Sequence, residues 1–236
     1  MTKQKNPIIR FIKKVFLIGF IGILIVLLLI TWSPRVRSFL RLGTLKIHLY
    51  NRFRPWLYFG NNQSCLKKLA ATEIVFTPVP DTRDASTGCA MKNVVYVSQS
   101  YIPYNHDCLM TCSLTLAMYK FEKNVVQPLA QKHFGQPVVK IHHVGTYNCR
   151  PVRGSSVLLS EHAYANAIDI IAFQLQDGRM ISIEQHWNQQ GQEAKFLHDV
   201  AQKACKRFRK VLTPNYNDLH HDHFHFDQGF VKLCGY

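Results

Sequence analysis

The sequence predicts an α+β domain behind a single apolar N-terminal helix, and three observations carry that prediction. Residues 15–32 (VFLIGFIGILIVLLLITW) run for 18 residues without a charge. Later segments switch between apolar residues at three- and four-residue steps, the period of a helix, and apolar residues at every second position, the period of a strand. About 170 residues follow the anchor-like region, enough for one domain with a real core.

At ~1.5 Å rise per residue, the apolar run just covers a hydrocarbon layer of ~30 Å. A helix apolar on every side has no face to offer water. Lys3, Lys5, Arg10, Lys13 and Lys14 precede it, as in a secretory signal, but Thr31, Trp32, Ser33 and Pro34 form a poor cleavage site;. The expectation is a basic cytoplasmic N-terminus at 1–14, an uncleaved transmembrane signal anchor at 15–32, a basic juxtamembrane linker at 33–60 and a folded domain at 61–236. Arg35, Arg37, Arg41, Lys46, Arg52 and Arg54 lie beyond the run, so charge asymmetry does not orient it;.

The formal charge of +15 belongs mostly to that anchor region: 13 Lys and Arg and no acid precede Glu73, whereas 16 basic residues face 14 acidic ones from there on. The folded part has no basic stripe with a nucleic-acid motif, so nucleic acid is not an expected partner. Residues 33–60 mix arginines with Phe, Leu, Trp and Tyr, which suits anionic lipid headgroups.

Within the domain, residues 76–107 are punctuated by proline and read as irregular. Amphipathic patterns predict helices at 112–122 and near 126–134, and a strand at 138–144. Strands at 168–175 and 180–184 flank Asp177-Gly178, a dipeptide suited to a hairpin turn. Phe196, Leu197, Val200, Ala201, Ala204, Phe208 and Val211 recur on one helical face and predict a helix over 193–212, closed by Pro214;. The assembled expectation is a small antiparallel sheet with helices packed to one side.

Two short stretches carry chemistry. SEHAYANAID (160–169) and HHDHFHFD (220–227) contribute His162, Asp169, His223 and His225. Two imidazoles and a carboxylate suit Zn2+ as a three-ligand site with an open position, where the ion polarises a carbonyl and brings water near neutral pKa. The alternation His223, Phe224, His225, Phe226 has strand character, with histidines on one face and phenylalanines on the other. His162 and Asp169 come together if a loop over 160–165 leads into a strand over 167–173. His48, His106, His133, His142, His143, His186 and His198 lack such company and read as ordinary residues. Tyr147, Trp187 and Tyr216 are candidates to line a cleft.

SEHAYANAID followed by a distal His-x-His resembles the zinc peptidase group of D-alanyl-D-alanine peptidases, murein endopeptidase and the hedgehog domain. More closely, the region from Cys65 to Cys234 resembles the bacterial extensin-like C-terminal domain family, through CSLTLAMYKF, VVQPLAQKHFG, GTYNCR, SEHAYANAIDI and LTPNYNDLHHDHFHFD. The resemblance implies His162, Asp169 and His225 as zinc ligands, His223 as base or transition-state donor, His220 as its companion, and Arg150 as a substrate or oxyanion clamp. Ala165 departs from the group's pattern, which has glycine there; a positive φ would strain it. Seven cysteines without a Cys-x-x-Cys pair read as a disulfide framework in an oxidising compartment. The family pattern uses six, leaving Cys108 as a buried free thiol. Pairing in sequence order gives Cys65 with Cys89, Cys112 with Cys149 and Cys205 with Cys234. The expected function is a membrane-anchored, periplasm-facing zinc peptidase acting on D-amino-acid amide bonds of peptidoglycan peptides, at the inner membrane. The alternative is a non-catalytic zinc-bearing module that binds cell wall or protein.

Overall fold

The computed structural model describes residues 7–32 and 62–236, which belong to two separate units. In the first, helix α1 (Pro7–Trp32) includes the apolar run. Side chains are described from 13 to 29, and all are exposed. Among the described residues no helix is long and apolar enough to cross a membrane. The expected linker at 33–60 and the first six residues lie outside the described part.

The second unit is α+β. Helix α2 (Asn62–Ala70) leads into a three-stranded antiparallel sheet of β1 (Val75–Pro78), β4 (Val94–Gln99) and β5 (Cys108–Thr111), in the order β1-β4-β5, with a small ribbon of β2 (Thr82–Arg83) and β3 (Ala90–Met91). The region expected to be irregular is mostly irregular, with short strand segments set into it. Its prolines sit at strand ends and in the connections, where no ladder N–H is lost, while VVYVSQ supplies β-branched and aromatic residues to the central strand;.

Helix α3 (Cys112–Phe121) begins at Thr111, whose Oγ1 accepts from the Leu114 N–H;. A π-helical turn, Glu122–Val126, joins it to α4 (Gln127–Phe134), so the two expected helices are one interrupted segment. Glu122 in that turn is fully buried and accepts hydrogen bonds from Ser100 Oγ (2.7 Å), the Ile102 N–H (3.0 Å) and Tyr104 Oη. Those bonds fasten the β4–β5 connection to the helix.

The large sheet runs β11-β9-β10-β7-β6, with β8 also paired to β7. Its strands are β6 (Val138–Gly145), β7 (Ala167–Leu175), β8 (Met180–Ser182), β9 (Lys210–Leu212), β10 (Phe224–Asp227) and β11 (Leu233–Gly235). All pairings are antiparallel except β11 with β9. The second strand of the predicted hairpin is shorter than expected: Ser182 caps a short helix α5 (Ile183–His186) by accepting from the Gln185 N–H.

The helix predicted over 193–212 is instead α6 (Gln192–Ala204) followed by strand β9. Both the Arg207 and Phe208 N–H groups turn back to the Ala204 carbonyl and end it. Phe208 then stacks on Phe226 at 4.8 Å and meets Phe121 edge-on, and Val211 pairs with Phe226 in the sheet. Their burial follows from sheet packing, which happens to continue the helical spacing. Pro214 accordingly follows a strand.

The disulfides are Cys65–Cys112, Cys89–Cys149 and Cys205–Cys234. Only the last matches sequence order. Cys65 on α2 meets the start of α3, and Cys89 reaches the loop after β6, because those segments pack side by side in space. Cys108 is free and buried; burial, together with Glu122 and Asp107, pushes its thiol above the ordinary range;.

A candidate metal centre on adjacent strands

The site is assembled from one loop and two neighbouring strands. Ser160 caps a 3-10 turn, Glu161–Tyr164, its Oγ accepting from the His162 N–H. The turn ends at Ala165, which adopts φ 53° and ψ 32°, the left-handed conformation that lets the chain reverse into β7;. Asn166, fully buried, anchors the reversal by accepting from Thr111 Oγ1 at 2.8 Å and donating to Glu161 Oε2 at 2.9 Å. Asp169 then lies directly opposite His225 in the β7–β10 register, so both side chains share a face;.

His162, Asp169 and His225 converge. His162 Nε2 is 3.1 Å from Asp169 Oδ2 and 3.2 Å from His225 Nδ1, and His225 Nδ1 is 2.9 Å from Asp169 Oδ1. Four-coordinate zinc with ligand bonds of ~2.0–2.1 Å sets its donors about 3.3 Å apart, so this donor set fits the ion in both chemistry and spacing. The remaining ring nitrogens are engaged. His162 Nδ1 donates to the Thr146 carbonyl at 3.3 Å, and His225 Nε2 to Asp227 Oδ2 at 3.2 Å. Those acceptors leave Nε2 of His162 and Nδ1 of His225 as lone pairs aimed at one another, an arrangement that a cation relieves. In the metal-free chain a proton can do the same. Burial disfavours charge on His225, but hydrogen bonds with Asp169 and Asp227 outweigh it and raise its pKa to about 9. Burial likewise opposes ionisation of Asp169, yet its bonds with His162 and His225 hold it well below the usual carboxylate range;.

Asp227 is fully buried, accepts from the Gly229 N–H at 2.9 Å and lies 3.6 Å from Lys210 Nζ. A methyl on Gly229 would run into the Glu161 carboxylate, so only glycine fits behind the cluster.

His223 immediately precedes β10, with Nε2 3.7 Å from Asp169 Oδ1 and Nδ1 bonded to Asp222 Oδ1 at 2.7 Å. His220 sits further out, its ring 5.1 Å from that of His223 and its Nδ1 2.7 Å from Asn217 Oδ1. Burial and the neighbouring His223 and His225 lower its pKa to about 4. The opposite face of β10 packs as expected: Phe224 and Phe226 are fully buried, against Trp187 and Phe121.

The Arg150 guanidinium donates to the adjacent Pro151 carbonyl at 3.4 Å, and its own carbonyl accepts from the Ser160 N–H at 3.1 Å. Arg153 adds a smaller contribution to the lowering of the His220 pKa. Trp187 belongs to the core, Tyr216 stands 5.7 Å from His220 at the rim, and Tyr147 is exposed. Asp227 and Thr146 were absent from the sequence-based set. The every-second-residue pattern that paired His223 with His225 extends to Asp227, whereas Thr146 acts through its backbone and leaves no mark in sequence.

Fold and cluster together define a disulfide-braced α+β domain that holds two histidines and an aspartate in a preorganised donor set. The chain belongs to the extensin-like protein C-terminus family, which matches residues 63–235. No curated protein and no solved structure matches it significantly.

Proposed function

We propose that this protein is a zinc-dependent, peptidase-like protein, anchored in the bacterial inner membrane by residues 15–32, that acts in the periplasm on D-amino-acid amide bonds of peptidoglycan stem peptides. The observation that carries the reading is the His162–Asp169–His225 cluster with each histidine's second nitrogen already bonded to an acceptor. Such outer partners orient metal ligands and fix their tautomers. Zn2+ held there supplies Lewis-acid polarisation of an amide carbonyl and activation of water at neutral pH.

The chain's own residues supply the rest. Asp222 orients His223 so that Nε2 faces the cluster, within reach of a proton on an attacking water or a leaving amine;. His220, held largely neutral, offers a hydrogen bond at the rim without adding positive charge. Arg153, whose charge acts on His220, is a candidate to attract a substrate carboxylate. Three disulfides support an oxidising compartment;, and the uncharged run over residues 15–32 supports a lipid setting;.

The test is metal content of the full chain in detergent, measured by elemental analysis beside a His162→Ala/His225→Ala variant, followed by assay on purified peptidoglycan peptides. About one zinc per chain, lost in the variant, is expected of a three-ligand site. No zinc, and none taken up on addition, would remove the metal reading. Zinc bound with no cleavage, and cell-wall binding unchanged in His223→Ala, would favour a non-catalytic binding module.

A further inference from the structure

A second site lies away from the histidine cluster. Helix α2, helix α3 and the segment after α6 line an open pocket of about 570 Å³ whose walls carry the exposed Lys68, Lys120, Lys206 and Arg207, with Ser64 and Ser113 beside them. No carboxylate lines it. Residues 62–236 carry 18 basic and 14 acidic side chains, close to balance, so four cations in one pocket are a local concentration and not the overspill of a basic surface.

Elsewhere on the domain, cations find acids: Lys92 pairs with Asp81, Lys123 with Glu73, Lys132 with Asp199 and Arg179 with Glu193. None of the four pocket cations forms an ion pair among the described residues. The Cys65–Cys112 disulfide ties together the two helices that form the walls. Ser113 sits in the first turn of α3, where the helix contributes partial positive charge;. Three lysines offer point charges, and Arg207 a planar fork of donors, to a tetrahedral oxyanion.

We propose that this pocket binds a phosphate group, carried either by an anionic lipid headgroup or by a soluble phosphate-bearing ligand. The proposal does not depend on zinc. The test is a calorimetric titration of the full chain, treated with chelator and held in neutral detergent micelles, with pyrophosphate as probe. Saturable binding is expected, weakened about tenfold in Lys68→Gln/Lys206→Gln, the loss of roughly one charge-assisted hydrogen bond. Lys195→Gln/Lys232→Gln, which removes equal charge elsewhere, should leave it unchanged. Repeating the titration in micelles containing phosphatidic acid separates the sources. Loss of pyrophosphate binding there assigns the pocket to lipid headgroups, and undiminished binding assigns it to a soluble phosphate ligand. No saturable binding of pyrophosphate, or equal weakening in both variants, overturns the proposal.

Discussion

Replacing Asp227 by Asn tests whether the cluster is organised for a metal. Asp227 is not itself a proposed ligand; it acts on His225 by accepting from Nε2 at 3.2 Å. Asn keeps the shape but removes the charge and lets the amide present either end, so the lone pair on His225 Nδ1 is no longer fixed toward Asp169. Losing an outer-shell partner of this kind costs about ten- to a hundredfold in metal affinity. The bond is at the long end of its range and Lys210, 3.6 Å away, already shares the carboxylate, which argues for the lower part of that interval. We expect a loss of about ten- to thirtyfold, or ~1.4–2 kcal/mol. Competition between the full chain and a chromophoric zinc chelator at neutral pH measures it, with near-UV circular dichroism to show that the variant is folded. A folded variant whose zinc affinity stays within about twofold of the parent would refute the reasoning that outer-shell charge prepares this site.

Other consequences follow from the same geometry. His225 binds its proton more tightly in the fold than in the unfolded chain, where its value is 6.5, so the metal-free protein gains stability that is complete below 6.5 and is lost as pH rises through about 9;. Thermal melts in chelator should show that decline, and zinc affinity should rise with pH over the same window because the ion displaces the proton. Non-reducing digestion and mass spectrometry should recover Cys65–Cys112 and Cys89–Cys149 peptides, and Cys65→Ser/Cys112→Ser should cost ~2–4 kcal/mol in denaturant melts, given a closed loop of 47 residues;. At Ala165, the left-handed backbone costs ~1–2 kcal/mol that glycine would relieve, but glycine loses ~0.5–1 kcal/mol of chain entropy and a buried methyl worth ~0.8 kcal/mol. Ala165→Gly should therefore change stability by less than about 1 kcal/mol, while Ala165→Val, β-branched at positive φ, should destabilise by more than ~2 kcal/mol.

By itself the sequence determined those features that depend on local repetition. The strand period of HHDHFHFD separates histidines from phenylalanines because successive strand side chains point to opposite faces whatever the fold around them. The spacing in SEHAYANAID places a turn before β7, and the apolar positions from Phe196 to Ala204 make a helix. Tertiary structure decided what depends on neighbours distant in the chain. Phe208 and Val211 continue a helical spacing, yet Phe208 lies in the connection before β9, packed on Phe121 and Phe226, and Val211 enters the sheet, where the backbone bonds offered by β10 and β11 favour the strand. Cysteine pairing is likewise set by which segments pack together, not by order along the chain. The Thr146 carbonyl meets His162 because β6 ends beside β7, a backbone contact that no residue type encodes.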